Sequence, residues 1–219
     1  MNGTVSKTVV RASVPRVRIP HPPPVRTYLA VRLNNPWNEN MGKKIRRVVT
    51  GHDKNGVAKV IMDGKASCIL QRPNRPGVTL TNLWQSDRSP ANMERHDDPV
   101  TGPLILHPPK NGSVFRIVQF DPEDPEQLAV LDGKVAFAEM GASGNIVEGA
   151  RHPFMHRTDS LDYAVVLTGE IFMMMDDDEY LLKAGDVVVQ QGTNHAWSNR
   201  GSEPCQIAFI LIDAEKRHS

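Results

Sequence analysis

Between residues 160 and 213 turn-forming residues interrupt the chain every few positions, and no run between them is long enough to be more than a strand. Leu161 to Leu167, Glu170 to Met175, Glu179 to Leu182, Val187 to Gln190, Ala196 to Asn199 and Gln206 to Asp213 are mostly apolar or β-branched runs. Thr168-Gly169, Asp176-Asp177-Asp178 and Ala184-Gly185-Asp186 separate four of them. Reversals this close together leave no room for a helix of ordinary length, so successive runs must pair antiparallel in a sandwich or barrel. The upstream chain follows the same style in Ile45 to Thr50, Val57 to Met62, Thr79 to Trp84 and Ser113 to Phe120. The first two flank His52-Asp-Lys-Asn-Gly56, and Asn-Gly between β-branched runs is the strongest short hairpin signal. Ser86 to Pro109 reads as a long polar loop, and only Glu94 to Asp98 and Asp124 to Leu131 suggest a short helix. The fold class is all-β.

Composition narrows the partners. Lys plus Arg number 26 against 25 Asp plus Glu, a net charge of +1, which gives no global field for holding a nucleic acid. No stretch approaches the length of a membrane span. Cys68 and Cys205 sit far apart and outside any metal-ligand spacing, which fits free thiols in a reducing, cytoplasmic setting. The first forty residues differ from the rest. Pro15, Pro20, Pro22, Pro23, Pro24 and Pro36 interrupt a segment whose only charged residues before Glu39 are basic. Such a segment buries little apolar area, so residues 1–44 are expected to be a flexible arm or leader, 45–213 the barrel and 214–219 a tail. The prolines argue against the amphipathic helix of a mitochondrial transit peptide.

Two segments carry candidate chemistry. In His152-Pro-Phe-Met-His156-Arg-Thr158-Asp159-Ser-Leu-Asp162, the even separations of His156, Thr158 and Asp162 place them on one face of an extended chain, provided no bulge intervenes. In Gly185-Asp-Val-Val-Val-Gln190-Gln-Gly192-Thr-Asn-His195-Ala-Trp-Ser-Asn199, a glycine turn delivers His195 onto the next strand. Two imidazoles and a carboxylate with open positions suit Fe, Mn, Ni or Zn as a divalent ion. Asp162 has a plainer alternative, bonding the turn amides of Thr168 or Gly169. His152, before a proline in a loop, is expected to face solvent or sit at the mouth of the barrel. His52, His96 and His107 lack partner spacing, Met173-Met174-Met175 reads as adaptable packing, and the acidic run from Asp176 to Glu179 as a solvated hairpin tip. Phe154, Trp197 and Trp84 are candidate pocket walls.

The second segment resembles the second cupin motif in Gly185, Gln190 at the proline position, Gly192, His195 and Asn199. The first is similar to the first cupin motif, with His156 at its first histidine, Asp162 at its glutamate and Gly169 at its closing glycine; Thr158 stands where a second histidine is usual. With Arg46-Arg-Val-Val-Thr-Gly-His52, these phrases resemble the single-barrel cupins labelled cupin-domain oxidoreductases, found in bacteria and in fungal polyketide gene clusters. The resemblance implies a jelly-roll barrel from Ile45 to Asp213, pairing edge to edge as a homodimer. It also implies a metal-dependent enzyme acting on a small aromatic or polyketide-type substrate. His156 and His195 would be catalytic, His156, Asp162 and His195 would ligate the metal, and Phe154, Thr158 and Trp197 would line the pocket. Oxidoreductase or dioxygenase-like chemistry is expected first, with decarboxylation, isomerisation or dehydration as other outcomes. A metal-free barrel that binds a small molecule without turnover is the alternative.

Overall fold

Alternation of apolar and polar side chains builds this molecule. The computed structural model describes residues 44–216, and the expected arm lies outside the described residues apart from Lys44. Eleven strands are present among them, with two short helices between the fifth and sixth. Strands β1 (Arg46–His52) and β2 (Ala58–Lys65) form a hairpin. The largest sheet is antiparallel and has six strands, β3 (Cys68–Gln71), β4 (Val78–Ser86), β5 (Ser113–Phe120), β11 (Cys205–Asp213), β6 (Ser160–Thr168) and β9 (Val187–Gln191), in that order across the sheet. A second sheet orders β10 (Ala196–Ser198), β7 (Glu170–Met174) and β8 (Glu179–Lys183).

Parity decides what faces inward. In β5 the side chains of Val114, Arg116, Val118 and Phe120 are buried while those between them are half-buried or exposed. In β11, Ile207, Phe209 and Leu211 join one core with Ala164 and Val166 of β6, Ile171 of β7 and Trp197 of β10, so the two sheets close on each other as a jelly-roll barrel. A bulge in β4 shifts the register between Asn82 and Trp84, and Leu83 is the extra residue.

The connection from β5 to β6 closes one end of the barrel. Asp124 caps α1 (Pro125–Leu128), accepting from the amides of Glu126 and Gln127, with Pro125 opening the helix. Asp132 caps α2 (Gly133–Ala138) in the same way through Lys134 and Val135. Ala136, Phe137 and Met140 of this segment are buried in the core. One expectation needs correcting, and two elements had no expectation at all. Glu94 to Asp98 forms no helix. The strand β3, at the edge of the six-stranded sheet, and the helix α2 were not expected. Both cysteines are free thiols, and no helix among the described residues is long and apolar enough to cross a membrane.

Candidate active site

A cavity of about 540 Å³, its open mouth included, lies inside the barrel, and His156, Thr158, Asp162, His195 and Trp197 line it. Its apolar wall comes from Leu80, Val118, Phe137, Met140, Phe209 and Leu211 among others.

Backbone pairing brings the two histidines together. The amide of His156 donates to the carbonyl of His195 at 2.9 Å, and the amide of His195 returns the bond at 2.9 Å, so the 152–158 loop is fastened to the start of β10. The imidazole centroids consequently stand 4.3 Å apart. Gly192 makes the preceding turn possible: it holds φ at +58°, and a Cβ there would stand 3.1 Å from the carbonyl oxygen of Thr158. Each ring has one nitrogen already committed. His156 Nδ1 lies 3.0 Å from the carbonyl of Phe154, and His195 Nδ1 lies 3.0 Å from that of Thr193. A carbonyl only accepts, so both Nδ1 atoms carry the proton and both Nε2 atoms keep a lone pair. Burial keeps these rings neutral. It holds His156 well below the usual imidazole range, with the neighbouring His195 adding to the effect, and brings His195 to about 4.

Thr158, Ser160 and Asp162 form a buried chain of polar side chains. Ser160 Oγ is 2.6 Å from Asp162 Oδ1 and 2.8 Å from Thr158 Oγ1, so its single proton goes to the carboxylate. Burial pushes the Asp162 carboxyl above the usual carboxylate range, against the Ser160 hydrogen bond and the charge of Arg116. No three His, Cys, Asp or Glu side chains converge on a metal-sized site among the described residues. The donor chemistry therefore fits a divalent first-row ion at the two imidazoles, whose free lone pairs and carbonyl-bonded Nδ1 atoms are the usual arrangement of ligating histidines. Asp162 does not complete the set. A neutral imidazole this reluctant to take a proton is a weak base at neutral pH and still a good lone-pair donor, which favours ligation over proton abstraction.

The remaining expected residues divide. Trp197 stands edge-on to Phe209, with centroids 5.4 Å apart, and both line the cavity. Phe154 is buried beneath the Arg75 guanidinium, 4.2 Å from its ring centroid, and belongs to the packing behind the cavity. Trp84 is half-buried and away from the lining. His152 is only 5% exposed and faces no solvent, a correction to the loop reading. Its Nδ1 accepts from the amide of Phe154 at 3.1 Å, which puts its proton on Nε2, the opposite tautomer from the other two. Asn199 is fully buried and donates to the carbonyls of Phe120 and Glu203, at 2.8 and 2.9 Å, so this motif residue fastens a turn.

Three buried arginines line the cavity and were not anticipated: Arg72, Arg75 and Arg116. Arg72 pairs with Glu139 at 3.2 Å. Arg75 lies 3.7 Å from Glu123 and donates to the carbonyl of Trp197 at 2.9 Å. For Arg116 a signal did exist, since it occupies an inward position of an alternating strand.

Residues 143–212 match the family described as Cupin domain. The chain is 30% identical over 179 residues to phomopsin biosynthesis cluster protein C' of Diaporthe leptostromiformis, an overlap covering 77% of this chain and 78% of that protein. It is 34% identical over 174 residues to the cupin-domain-containing oxidoreductase fogC of Aspergillus ruber, covering 78% of this chain and 73% of that one. Among solved structures, a Cupin 2 conserved barrel domain protein from Salinispora arenicola is 14% identical, over 65% of this chain and 82% of that chain, with a TM-score of 0.35.

Proposed function

The chain belongs to the cupin superfamily, and on that premise we propose that it is an oxidoreductase of secondary metabolism whose small aromatic or polyketide-type substrate reacts in the barrel cavity beside His156 and His195. One observation carries the reading: two neutral imidazoles, fastened to each other through their backbones, each keep an unprotonated Nε2 at one cavity. The names of its fungal relatives support the reaction class. His156 and His195 would hold a divalent Fe, Mn, Ni or Zn ion, which when bound would supply Lewis-acid or redox chemistry to an oxygenated substrate. Trp197, Phe137 and Phe209 exclude water from the reacting atoms and orient a planar substrate against the histidines. Two free cysteines and near-neutral charge fit a cytoplasmic enzyme.

A second reading has an observation of its own. Thr158 replaces one usual imidazole and Asp162 is engaged by Ser160, which favours a metal-free barrel that binds its ligand without turnover. Elemental analysis of the purified chain, paired with mass-spectrometric screening of aromatic aldehydes and polyketide-type acids, separates the two. The enzyme reading expects a near-stoichiometric metal and a product, both lost in His156→Ala and His195→Ala. Metal-free protein that binds ligand with no product, or turnover that survives the double substitution, overturns it.

A further inference from the structure

The inner face of the six-stranded sheet carries a polar belt that the two histidines do not use. Across β4 and β5, Asn82 pairs with Arg116; across β6 and β9, Asp162 pairs with Gln190. Arg116 and Asp162 occupy neighbouring rows on either side of β11, whose Phe209 pairs with Arg116 and whose Leu211 pairs with Asp162. All four belt residues are at most 5% exposed. Buried polar atoms nearly always have partners. Yet Arg116 Nε, Asn82 Oδ1 and both amide atoms of Gln190 have none in the protein, and the only other such side-chain atom among the described residues is His152 Nε2.

Arg116 is the extreme case. One of its terminal nitrogens donates to the carbonyls of Ile105 and Leu106, at 2.8 and 3.0 Å, which anchors the guanidinium without neutralising it. Arg72 and Arg75 have their carboxylates, Glu139 and Glu123. No carboxylate among the described residues lies within ion-pair distance of Arg116; Asp162, which takes the Ser160 hydroxyl, acts on it only through space. A buried cation without a carboxylate in contact is costly to fold around. A fold that retains one at a cavity wall is built to receive an anion there.

We infer that Arg116 sets the substrate class: the cavity takes an amphipathic monoanion, a carboxylate seated on the second terminal nitrogen of the Arg116 guanidinium with its apolar body against Phe209, Phe137 and Trp197. The nitrogen bonded to Ile105 and Leu106 has spent both of its hydrogens, so the carboxylate takes the other terminal nitrogen in a charge-assisted hydrogen bond. This inference rests on the cavity being the substrate site, as proposed above.

Binding of benzoate and of its neutral isostere benzamide to the full chain tests it, by calorimetry and by quenching of Trp197. The wild-type protein is expected to bind benzoate at least tenfold more tightly than benzamide. Arg116→Met should bring the two within about twofold, with circular dichroism and a melting curve reporting the fold. Should that variant not fold, Arg116→Gln removes the charge while keeping a donor for the Ile105 and Leu106 carbonyls, and it should likewise bring the two probes within about twofold. Met140→Trp, which fills the cavity, should weaken both probes alike. Equal wild-type affinities for the two probes overturn the inference, as does a benzoate preference that survives in folded Arg116→Met while Met140→Trp still blocks binding. If Met140→Trp leaves benzoate binding unchanged, the cavity is not the ligand site and the proposed function fails with it.

Discussion

Acidification offers a direct test of how the loop bearing His156 is held. His152 accepts the Phe154 amide through Nδ1 and is buried, and Arg75, Arg200 and Arg151 lie close enough to oppose a further positive charge. Burial first and these guanidiniums second bring it down to about 4. Glu123, 3.8 Å away, would work the other way, but it is already shared with Arg75 and the Ser198 hydroxyl. In the unfolded chain the imidazole titrates near its ordinary value of about 6.5. Between the two values the unfolded state binds the proton and the folded state refuses it. Stability from this residue is therefore fully present above about pH 6.5 and falls as the pH drops toward 4. At about 1.4 kcal/mol per pH unit, the loss by pH 4 is about 3 kcal/mol. Urea unfolding followed by tryptophan fluorescence at intervals from pH 7 to pH 4 measures it. His152→Asn keeps an acceptor for the Phe154 amide and has nothing to titrate, and groups common to both chains cancel in the comparison. The variant's stability should fall by about 3 kcal/mol less than wild type over that interval. Parallel curves would show that His152 takes up its proton in the folded protein, with Glu123 as its counter-ion, and the account of this loop would be wrong.

Gly133→Ala should destabilise the fold by about 2 kcal/mol and lower Tm by several degrees, because a Cβ there would stand 2.1 Å from the Pro153 carbonyl oxygen; an unchanged melting curve would mean α2 does not press on the His152 loop. Arg47 fastens the β1–β2 hairpin to β4 by donating to the Leu83 carbonyl at 2.8 Å while pairing with Asp98. Arg47→Ala should cost about 2 kcal/mol and accelerate amide exchange in residues 46–65. The same pair holds the Asp98 carboxyl below the usual carboxylate range, so its contribution is present at neutral pH and disappears as the pH falls through and below that range. His195→Ala should abolish retention of zinc or iron after dialysis at a cost of about 1 to 2 kcal/mol in stability, and a variant that still retains stoichiometric metal would remove His195 from the ligand set.

What the sequence made legible was local. Turns such as Thr168-Gly169 and Ala184-Gly185-Asp186 set the rhythm of β6 to β9, and period-two alternation marked which side of Ser113 to Phe120 faces the core. Four-residue β3 was missed because it is too short to show alternation and follows β2 with only two residues between. Helix α2 was missed because its Asp132-Gly133 start reads as a turn and its apolar residues make sense only against the barrel's open end. The histidine pair lay 39 positions apart, and a matched motif picked out both members. The arginines failed for another reason. An inward charge in a strand looks like a mistake in the pattern until the cavity beneath it is visible, and Arg72 and Arg75 come from a loop with no pattern to break. Parity did put His156, Thr158 and Asp162 on one cavity, whereas the claim of the Ser160 hydroxyl on the Asp162 carboxylate is a matter of neighbours in space.

The mutual amide bonds between His156 and His195 fix two positions in space without reference to what their side chains are. Residues 156 and 195 are in that sense sockets. Any pair of side chains of similar size can be plugged into them and will confront each other over the same chamber, because the peptide groups and not the imidazoles hold the spacing. A lineage can then trade ligands for acids, or for nothing, one codon at a time, without the scaffold having to be relearned. A small library at these two positions, scored for folding alone, should be almost uniformly soluble, and its chemical diversity would be the raw material on which selection for a new reaction acts.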